Sequence, residues 1–159
     1  MERPPGEGAV AQWGQRAADE IRKALANNDT KRLAEIADAL AHAEWIKGQL
    51  DNIIAAQDSP RILDDLIEGA QEKGPRQGYD NHHIIEQGPQ NGDVPPDIIE
   101  APHNVVRIPR YRHWQINKYY SQPQEECGGL TPRDYLRSKS VQERYAFGLG
   151  VLRKFGVLK

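Results

Sequence analysis

Four of the five histidines in this 159-residue chain lie between positions 82 and 113. They form an adjacent pair, His82 and His83, followed by His103 and His113. Imidazole titrates near neutral pH and binds divalent metals, so this segment concentrates groups that suit a general base and a metal site. Hydrolysis of a phosphodiester needs both, because a base activates water while a cation neutralises charge on the phosphate. Residues 82–113 are therefore the candidate site.

Two short strands are expected to carry part of this segment. The apolar runs His83–Ile85 and Val105–Ile108 each predict a strand. Between them, residues 87–102 are rich in Gly, Pro, Asn and Asp, which is typical of a loop. The predicted order is strand, loop, strand.

A helix is expected after Pro109, and its spacing places His113 and Asn117 one turn apart on the same face. The pair His82 and His83 poses a harder problem, because adjacent side chains on a strand point to opposite faces. The two rings share one cleft only if a bulge or a strand end turns them together.

Residues 1–73 have helical patterning. An apolar stripe predicts a first helix from about Ala9 to Ala26, and a second begins at a cap formed by Asp29 or Thr30 and continues to about Gln57. Ser59 followed by Pro60 predicts the start of a third helix. We interpret this half as a scaffold or oligomerisation element with Trp45 in its core, and a homodimer through these helices is expected. The apolar positions of the first helix are Val10, Trp13, Ala17, Ile21 and Leu25.

The expected fold class is α+β and mostly helical, with a boundary near Gly74. The helical segment 1–73 is followed by a second domain, 74–159, that holds the strands and ends in further helices. Thr131 predicts a cap for one helix, and Ser140 with Glu143 matches a capping box for the last, which should stop at Gly156.

The histidine-bearing half is also the basic half. Residues 1–73 hold 9 Lys/Arg against 14 Asp/Glu, whereas residues 74–159 hold 12 against 9. Arg107, Arg110 and Arg112 fall in a stretch that lacks acids and contains aromatic residues, which suits a polyanionic substrate. The alternative for this stretch is a solvated charged face over core aromatics.

The remaining composition argues against a cysteine nucleophile and against a membrane-spanning protein. The single Cys127 lies beside two glutamates, which disfavour a thiolate, so a structural role is expected for it. No stretch approaches the roughly twenty apolar residues that span a bilayer, so no membrane partner is expected.

Three segments together resemble a known family. Residues 79–87 read YDNHHIIEQ, residues 104–109 read NVVRIP, and His113 follows. This order is similar to the HNH branch of the His-Me finger endonucleases, also called ββα-metal nucleases. The resemblance covers residues 79 to about 120, roughly a quarter of the chain.

The resemblance implies a role for each matched residue. His83 would be the general base, His82 and His113 would be metal ligands, and Asn104 would brace the loop and orient the base as part of the catalytic set. Asn117 stands where some members have a further His. An amide oxygen is a harder ligand than imidazole, which favours Mg²⁺ or Mn²⁺ as the one divalent cofactor, with Zn²⁺ as the alternative.

The function implied is a metal-dependent endonuclease that cleaves DNA with little sequence preference, its backbone held by Arg107, Arg110 or Arg112. Family members are common as toxin domains of bacterial effectors, so action in a target cell's cytoplasm and a cognate immunity protein are expected. RNA as substrate and a non-catalytic metal-binding or assembly module stay open, as does a metal or phosphate contact by Asp80 or His103.

Overall fold

The fold is described from a computed structural model for residues 7–159, with side chains from residue 16 onward. The stripe positions Val10 and Trp13 lie outside the described side chains. The described residues form a mostly helical α+β fold, as expected, with one small antiparallel sheet. In chain order the elements are α1 (Glu7–Ala26), α2 (Thr30–Ala55), α3 (Leu63–Gln71), β1 (Tyr79–His83), α4 (Pro96–Ile99), β2 (Val105–Pro109), α5 (Arg110–Tyr120), α6 (Pro132–Leu136) and α7 (Val141–Lys154).

The chain divides into two compact units between Lys47 and Gly48, inside α2. The boundary expected near Gly74 therefore falls elsewhere, and residues 48–73 belong with the strands. The reason is that α3 packs its apolar side chains, Leu66 among them, against the sheet and its core instead of forming a separate bundle. No helix in the described residues is long and apolar enough to span a bilayer.

The first unit contains α1 and most of α2. Asn28 adopts a left-handed backbone conformation (φ 53°) between the two helices, and the Asp29 carboxylate accepts a hydrogen bond from the Arg32 backbone N–H at 3.0 Å. The cap predicted at Asp29 is therefore confirmed. The Arg32 side chain also reaches Glu20 of α1 and Glu35 of α2.

Several large apolar side chains of α2 remain in solvent. Trp45 is 65% exposed, so its predicted place in a helical core is wrong. The third helix that was expected to cover such a core packs on the sheet instead. The other exposed apolar residues of α2 are Ile46, Leu50, Ile53 and Ile54.

The predicted start of the third helix at Ser59 and Pro60 is also wrong. The helix begins at Leu63 without a side-chain cap. Arg61, two residues before the helix, instead pairs with the C-terminal tail: its N–H donates to the Val157 carbonyl, and its carbonyl accepts from the Lys159 N–H. An extended segment that pairs in this way cannot adopt helical dihedrals.

The sheet is a short ribbon of β1 and β2, paired residue by residue from Tyr79 opposite Pro109 to His83 opposite Val105. The first strand was predicted at residues 83–85 but covers Tyr79–His83, so it ends where it was predicted to begin. Ile84 and Ile85 follow the strand and enter two different apolar clusters.

The main core lies between this ribbon and the helices. It is formed by buried side chains from α3, the end of β1, β2 and α5 to α7, with Val106, Ile108, Ile116 and Leu152 fully buried. The predicted caps of the last two helices are confirmed, since Thr131 accepts from the Asp134 N–H and Ser140 forms a capping box with Glu143. Cys127 is buried, as expected of a structural thiol, and burial followed by the Glu126 charge raises its pKa.

A buried arginine fastens α7 to the loop between the strands. The Arg144 side chain is 2% exposed, and its guanidinium donates to both oxygens of Asp93 at 2.8 Å and to Asn91 at 2.9 Å. Its remaining N–H groups donate to the carbonyls of Arg137 and Lys139. Every donor of this buried cation is satisfied, which offsets its desolvation.

Two glycines of α7 offer a matched test of how closely this helix packs on Ile84. A Cβ built on Gly148 would collide with the Ile84 carbonyl and meet its Cγ2 at 2.7 Å, whereas a Cβ on Gly150 meets no atom within 4 Å. We predict that Gly148→Ala lowers the free energy of unfolding by about 1–3 kcal/mol through overpacking. Gly150→Ala should raise it by about 0.5–1 kcal/mol through helix propensity. Urea denaturation of both variants checks this, and equal effects would show that α7 does not pack closely on Ile84.

Candidate functional site

The end of β1 places both adjacent histidines at one open depression, which we call the histidine cleft. It has a volume of about 270 Å³ and lies against α5. Because His83 is the last residue of β1, the chain turns there, and the strand end lets neighbouring rings reach the same cleft. Its lining residues are Asn81, His82, His83, Glu86, Gln87, His113, Asn117 and Arg133.

The structure brings together two imidazoles that are far apart in sequence. The rings of His82 on β1 and His113 on α5 meet edge to face, with their centroids 5.2 Å apart. His113 is oriented by Asp80, whose Oδ2 lies 3.1 Å from Nδ1. A carboxylate only accepts hydrogen bonds, so Nδ1 is the donor to Asp80 and Nε2 is the nitrogen left to face a ligand.

Asp80 does not replace His82 as a cleft ligand but supports His113. Its second oxygen accepts a hydrogen bond from Arg110 Nε at 3.0 Å. Arg110 therefore holds the carboxylate that in turn holds the imidazole ring. This arrangement is typical of a histidine that binds a metal through its other nitrogen.

His82 is buried and uncharged. Burial, followed by the charges of His113 and His83, lowers its pKa to about 3. The His82 ring forms no hydrogen bond within the described residues. Neither of its nitrogens is completely buried, since no fully buried nitrogen in this part of the chain lacks a partner. A free nitrogen of His82 therefore opens to the cleft in the neutral form that binds metals.

His83 has a different partner. Its Nε2 lies 3.5 Å from Oε2 of Glu100, at the limit of a hydrogen bond, and Gln87 donates to the other oxygen of Glu100. With Nε2 as donor, Nδ1 is the nitrogen left to accept a proton. Glu100 was not identified from the sequence, because it sits in a polar loop 17 residues from His83 with no spacing signal.

Asn104 braces the chain just after β1 and is not a cleft residue. Its side chain is buried; Oδ1 accepts from the Ile85 N–H at 2.8 Å, and Nδ2 donates to the carbonyls of Ile85 and Ile99. Its backbone carbonyl also accepts from the Ile84 N–H. Asn104 is therefore a positioning residue, since it fixes the exit of β1 without touching the cleft.

A guanidinium that the sequence did not single out lies in the histidine cleft. Arg133, in the first turn of α6, donates two hydrogen bonds to Glu86, at 2.9 Å from Nε and 2.8 Å from Nη2. The Glu86 side chain is 10% exposed and that of Arg133 is 34% exposed, so the pair is held while the cation stays accessible. In the sequence, this region carries only the signal of a helix cap at Thr131.

The three arginines expected to contact phosphate do not line the histidine cleft, which is a correction. The Arg107 side chain is 8% exposed and donates to Glu72, Asn81 and backbone carbonyls. Arg112 donates to Gln115 and the Ala56 carbonyl, and Arg110 supports Asp80.

His103 also lies away from the histidine cleft. Its ring stands 6.1 Å from that of Tyr145, and its carbonyl accepts a hydrogen bond from the Tyr145 hydroxyl. It lines none of the cleft surface, so the structure gives no metal or phosphate contact to His103.

The donor set fits a divalent cation only in part. Among the described residues, no group of three or more His, Cys, Asp and Glu side chains is arranged to hold a metal ion. The cleft offers imidazole nitrogens of His82 and His113, and the Asn117 amide one turn beyond. Such a set suits a cation that keeps several water or substrate oxygens as ligands.

Comparison of the chain with protein-family models, with curated proteins and with solved structures finds no match.

Alanine substitutions at Asn104 and Asn117 distinguish a residue that stabilises the fold around the histidine cleft from one that only lines it. Asn104→Ala removes three buried hydrogen bonds and leaves backbone groups unpaired, so we predict a loss of about 3 kcal/mol in the free energy of unfolding. Asn117 makes no side-chain hydrogen bond within residues 16–159, so Asn117→Ala should change stability by less than about 0.5 kcal/mol. Denaturant titration checks both. An Asn104→Ala variant as stable as Asn117→Ala would contradict the bracing role.

Proposed function

We propose that this chain is a metal-dependent endonuclease of the HNH type. The observation that carries the proposal is the close approach of His82 and His113 in a cleft shared with His83 and Arg133. These four side chains supply a base, two nitrogen ligands and a phosphate-binding cation, which are the groups that phosphodiester hydrolysis requires.

His83 is the general base of the proposed reaction. Glu100 engages its Nε2, so the ring presents Nδ1, which takes a proton from the attacking water. The fixed ring orientation matters because a base contributes only when it lies within hydrogen-bond reach of the proton it removes.

His82 and His113 would hold the cation, with Asn117 as a further ligand. When bound there, a divalent cation supplies charge neutralisation at the phosphate and the leaving oxygen. Mg²⁺ and Mn²⁺ remain the favoured ions, with Zn²⁺ as the alternative. Asp80 and Arg110 keep the His113 ring aligned toward this position.

Arg133 binds the phosphate in the proposed complex. Nε and Nη2 each donate one hydrogen bond to Glu86, and Nη1 has no acceptor within the described residues. The unused N–H groups of a guanidinium fixed in this way match the oxygens of a phosphate group. This replaces the role that sequence reasoning gave to Arg107, Arg110 and Arg112.

The proposed substrate is DNA, cleaved with little sequence preference. The histidine cleft is open, and its polar groups are those suited to phosphate and metal. Contacts to phosphate position a nucleic acid without reading its bases. RNA with the same chemistry is the alternative substrate.

The biological setting rests on the family resemblance alone. It supports action as a toxin domain inside a target cell and neutralisation by a cognate immunity protein. A homodimer through the N-terminal helices is part of the same proposal, and the exposed apolar residues of α2, among them Trp45 and Ile54, support it. Those residues equally favour the rival function, a non-catalytic assembly module.

Cleavage of supercoiled plasmid and of RNA, with Mg²⁺, Mn²⁺, Zn²⁺ or EDTA, tests the function. We expect metal-dependent nicking by the parent chain and a loss of about 10²–10⁴-fold in His83→Ala, since that is the usual contribution of a general base. His103→Ala is the matched control, because this histidine lies outside the histidine cleft, and it should cleave like the parent. No cleavage of either nucleic acid under any condition would favour the assembly module.

Asp80 provides a second test through metal affinity. Asp80→Asn loses the charged acceptor that orients His113, and we expect a decrease of about 10–100-fold in affinity for Mn²⁺. Isothermal titration calorimetry measures it, with Asp97→Asn as a control on the exposed surface of α4. If both variants bind Mn²⁺ like the parent, the Asp80–His113 pair is not part of a metal site.

A further inference from the structure

A second cavity gathers four arginines on another part of the surface. We call it the arginine cavity; it is lined by Arg61, Arg76, Arg107 and Arg112 together with Tyr79, Asp58 and neighbouring apolar atoms. In the described chain, no residue lines both this cavity and the histidine cleft. Two of the arginines that sequence analysis assigned to phosphate contacts, Arg107 and Arg112, therefore lie here.

The arginine cavity is built by contacts that fix its walls. The Arg61 backbone is held by its pairing with the C-terminal tail. Arg76 stacks over the Tyr79 ring, with Cζ 4.4 Å from the ring centroid. Arg112 donates to the Ala56 carbonyl, which directs its guanidinium toward the end of α2. The cations are thus presented by four separate segments of the fold.

Positive charge exceeds negative charge at the arginine cavity. Asp58, the one carboxylate among its lining residues, is engaged by the Tyr79 hydroxyl at 2.6 Å. Arg107 is paired with Glu72, and Arg61 lies 3.7 Å from Asp65 in an exposed, solvent-screened pair.

Two of the four guanidinium groups are not neutralised by a carboxylate in the described residues. Arg76 and Arg112 form no ion pair within residues 16–159. Burial raises the pKa of the Tyr79 phenol, with Asp58 adding to the rise and the Arg76 and Arg61 charges opposing it. An anion at the cavity would complete the charge balance.

The dimensions select a small anion. The enclosed space is about 20 Å³, room for little more than one water-sized group, so one oxygen of a phosphate enters but a nucleobase does not. Arginine is the side chain that best matches phosphate, because its planar fork donates two parallel hydrogen bonds.

We propose that the arginine cavity binds one backbone phosphate of the nucleic acid that is cleaved in the histidine cleft. This inference rests on the proposed function, since it adds a second contact for the same substrate. Tyr79, which lines the arginine cavity, begins β1, and His83, which lines the histidine cleft, ends it. The strand rises about 13 Å between their backbones, a length that a duplex covers in about four base pairs. Arg112 and His113, neighbours on α5, connect the two sites.

Duplex binding without cleavage tests this contact. The His83→Ala chain is titrated with a 20-base-pair duplex of mixed sequence in EDTA at several salt concentrations. We expect the added pair Arg61→Gln and Arg76→Gln to weaken binding about tenfold and to reduce the slope of log affinity against log salt by about 1. The matched control removes two exposed arginines elsewhere, Arg137→Gln with Arg153→Gln, and should leave the slope unchanged.

The outcomes separate this inference from the proposed function. Equal slopes and affinities for the two double variants overturn the inference, whether or not the parent chain cleaves. A reduced slope for the Arg61 and Arg76 variant upholds the phosphate contact of a bound duplex even if no cleavage occurs, in which case only the nuclease assignment fails. Sodium phosphate is titrated in parallel by thermal unfolding. If it stabilises the chain through these arginines while no duplex binds, the site serves free phosphate, and the nucleic-acid contact is overturned.

Discussion

The side chain of Asn104 is the constraint on which the candidate site depends. It joins both backbone groups of Ile85 to the Ile99 carbonyl inside an apolar setting where water cannot replace a lost partner. Its hydrogen bonds fix where β1 stops, and the position of His83 at that stop decides whether adjacent rings share one cleft. On a continuous strand, by contrast, two adjacent side chains point to opposite faces.

Two arginines near the candidate site, one in the core and one at the surface, have different roles. In the core, Arg144 is fully paired, so its charge serves structure and ties α7 to the loop between the strands. At the surface, Nε and Nη2 of Arg133 donate to Glu86, whereas Nη1 has no acceptor within the described residues. A guanidinium held rigid but incompletely used is ready for an anion without the entropy loss of ordering a free side chain.

Much of this arrangement followed from the sequence, because the signals were local. The helix starts at Asp29, Thr131 and Ser140 and the helix after Pro109 depend on residues within a turn of one another, so the sequence predicted them. The order of strand, loop, strand and helix also held. Residue type and order in the sequence were enough to select His82 and His83 on β1 and His113 on α5.

The rest depended on long-range packing that no local pattern encodes. Trp45 was expected in a core, but α3 packs on the sheet, and the pairing of Arg61 with the C-terminal tail displaced a helix start. Glu100 contacts His83, and Arg133 contacts Glu86, from distant segments of the chain, so their spacing carried no signal. Anomalous diffraction from crystals soaked in Mn²⁺ tests the central claim most directly. The account predicts one peak bonded to ring nitrogens of both His82 and His113. A peak elsewhere, or none in the histidine cleft, would contradict it.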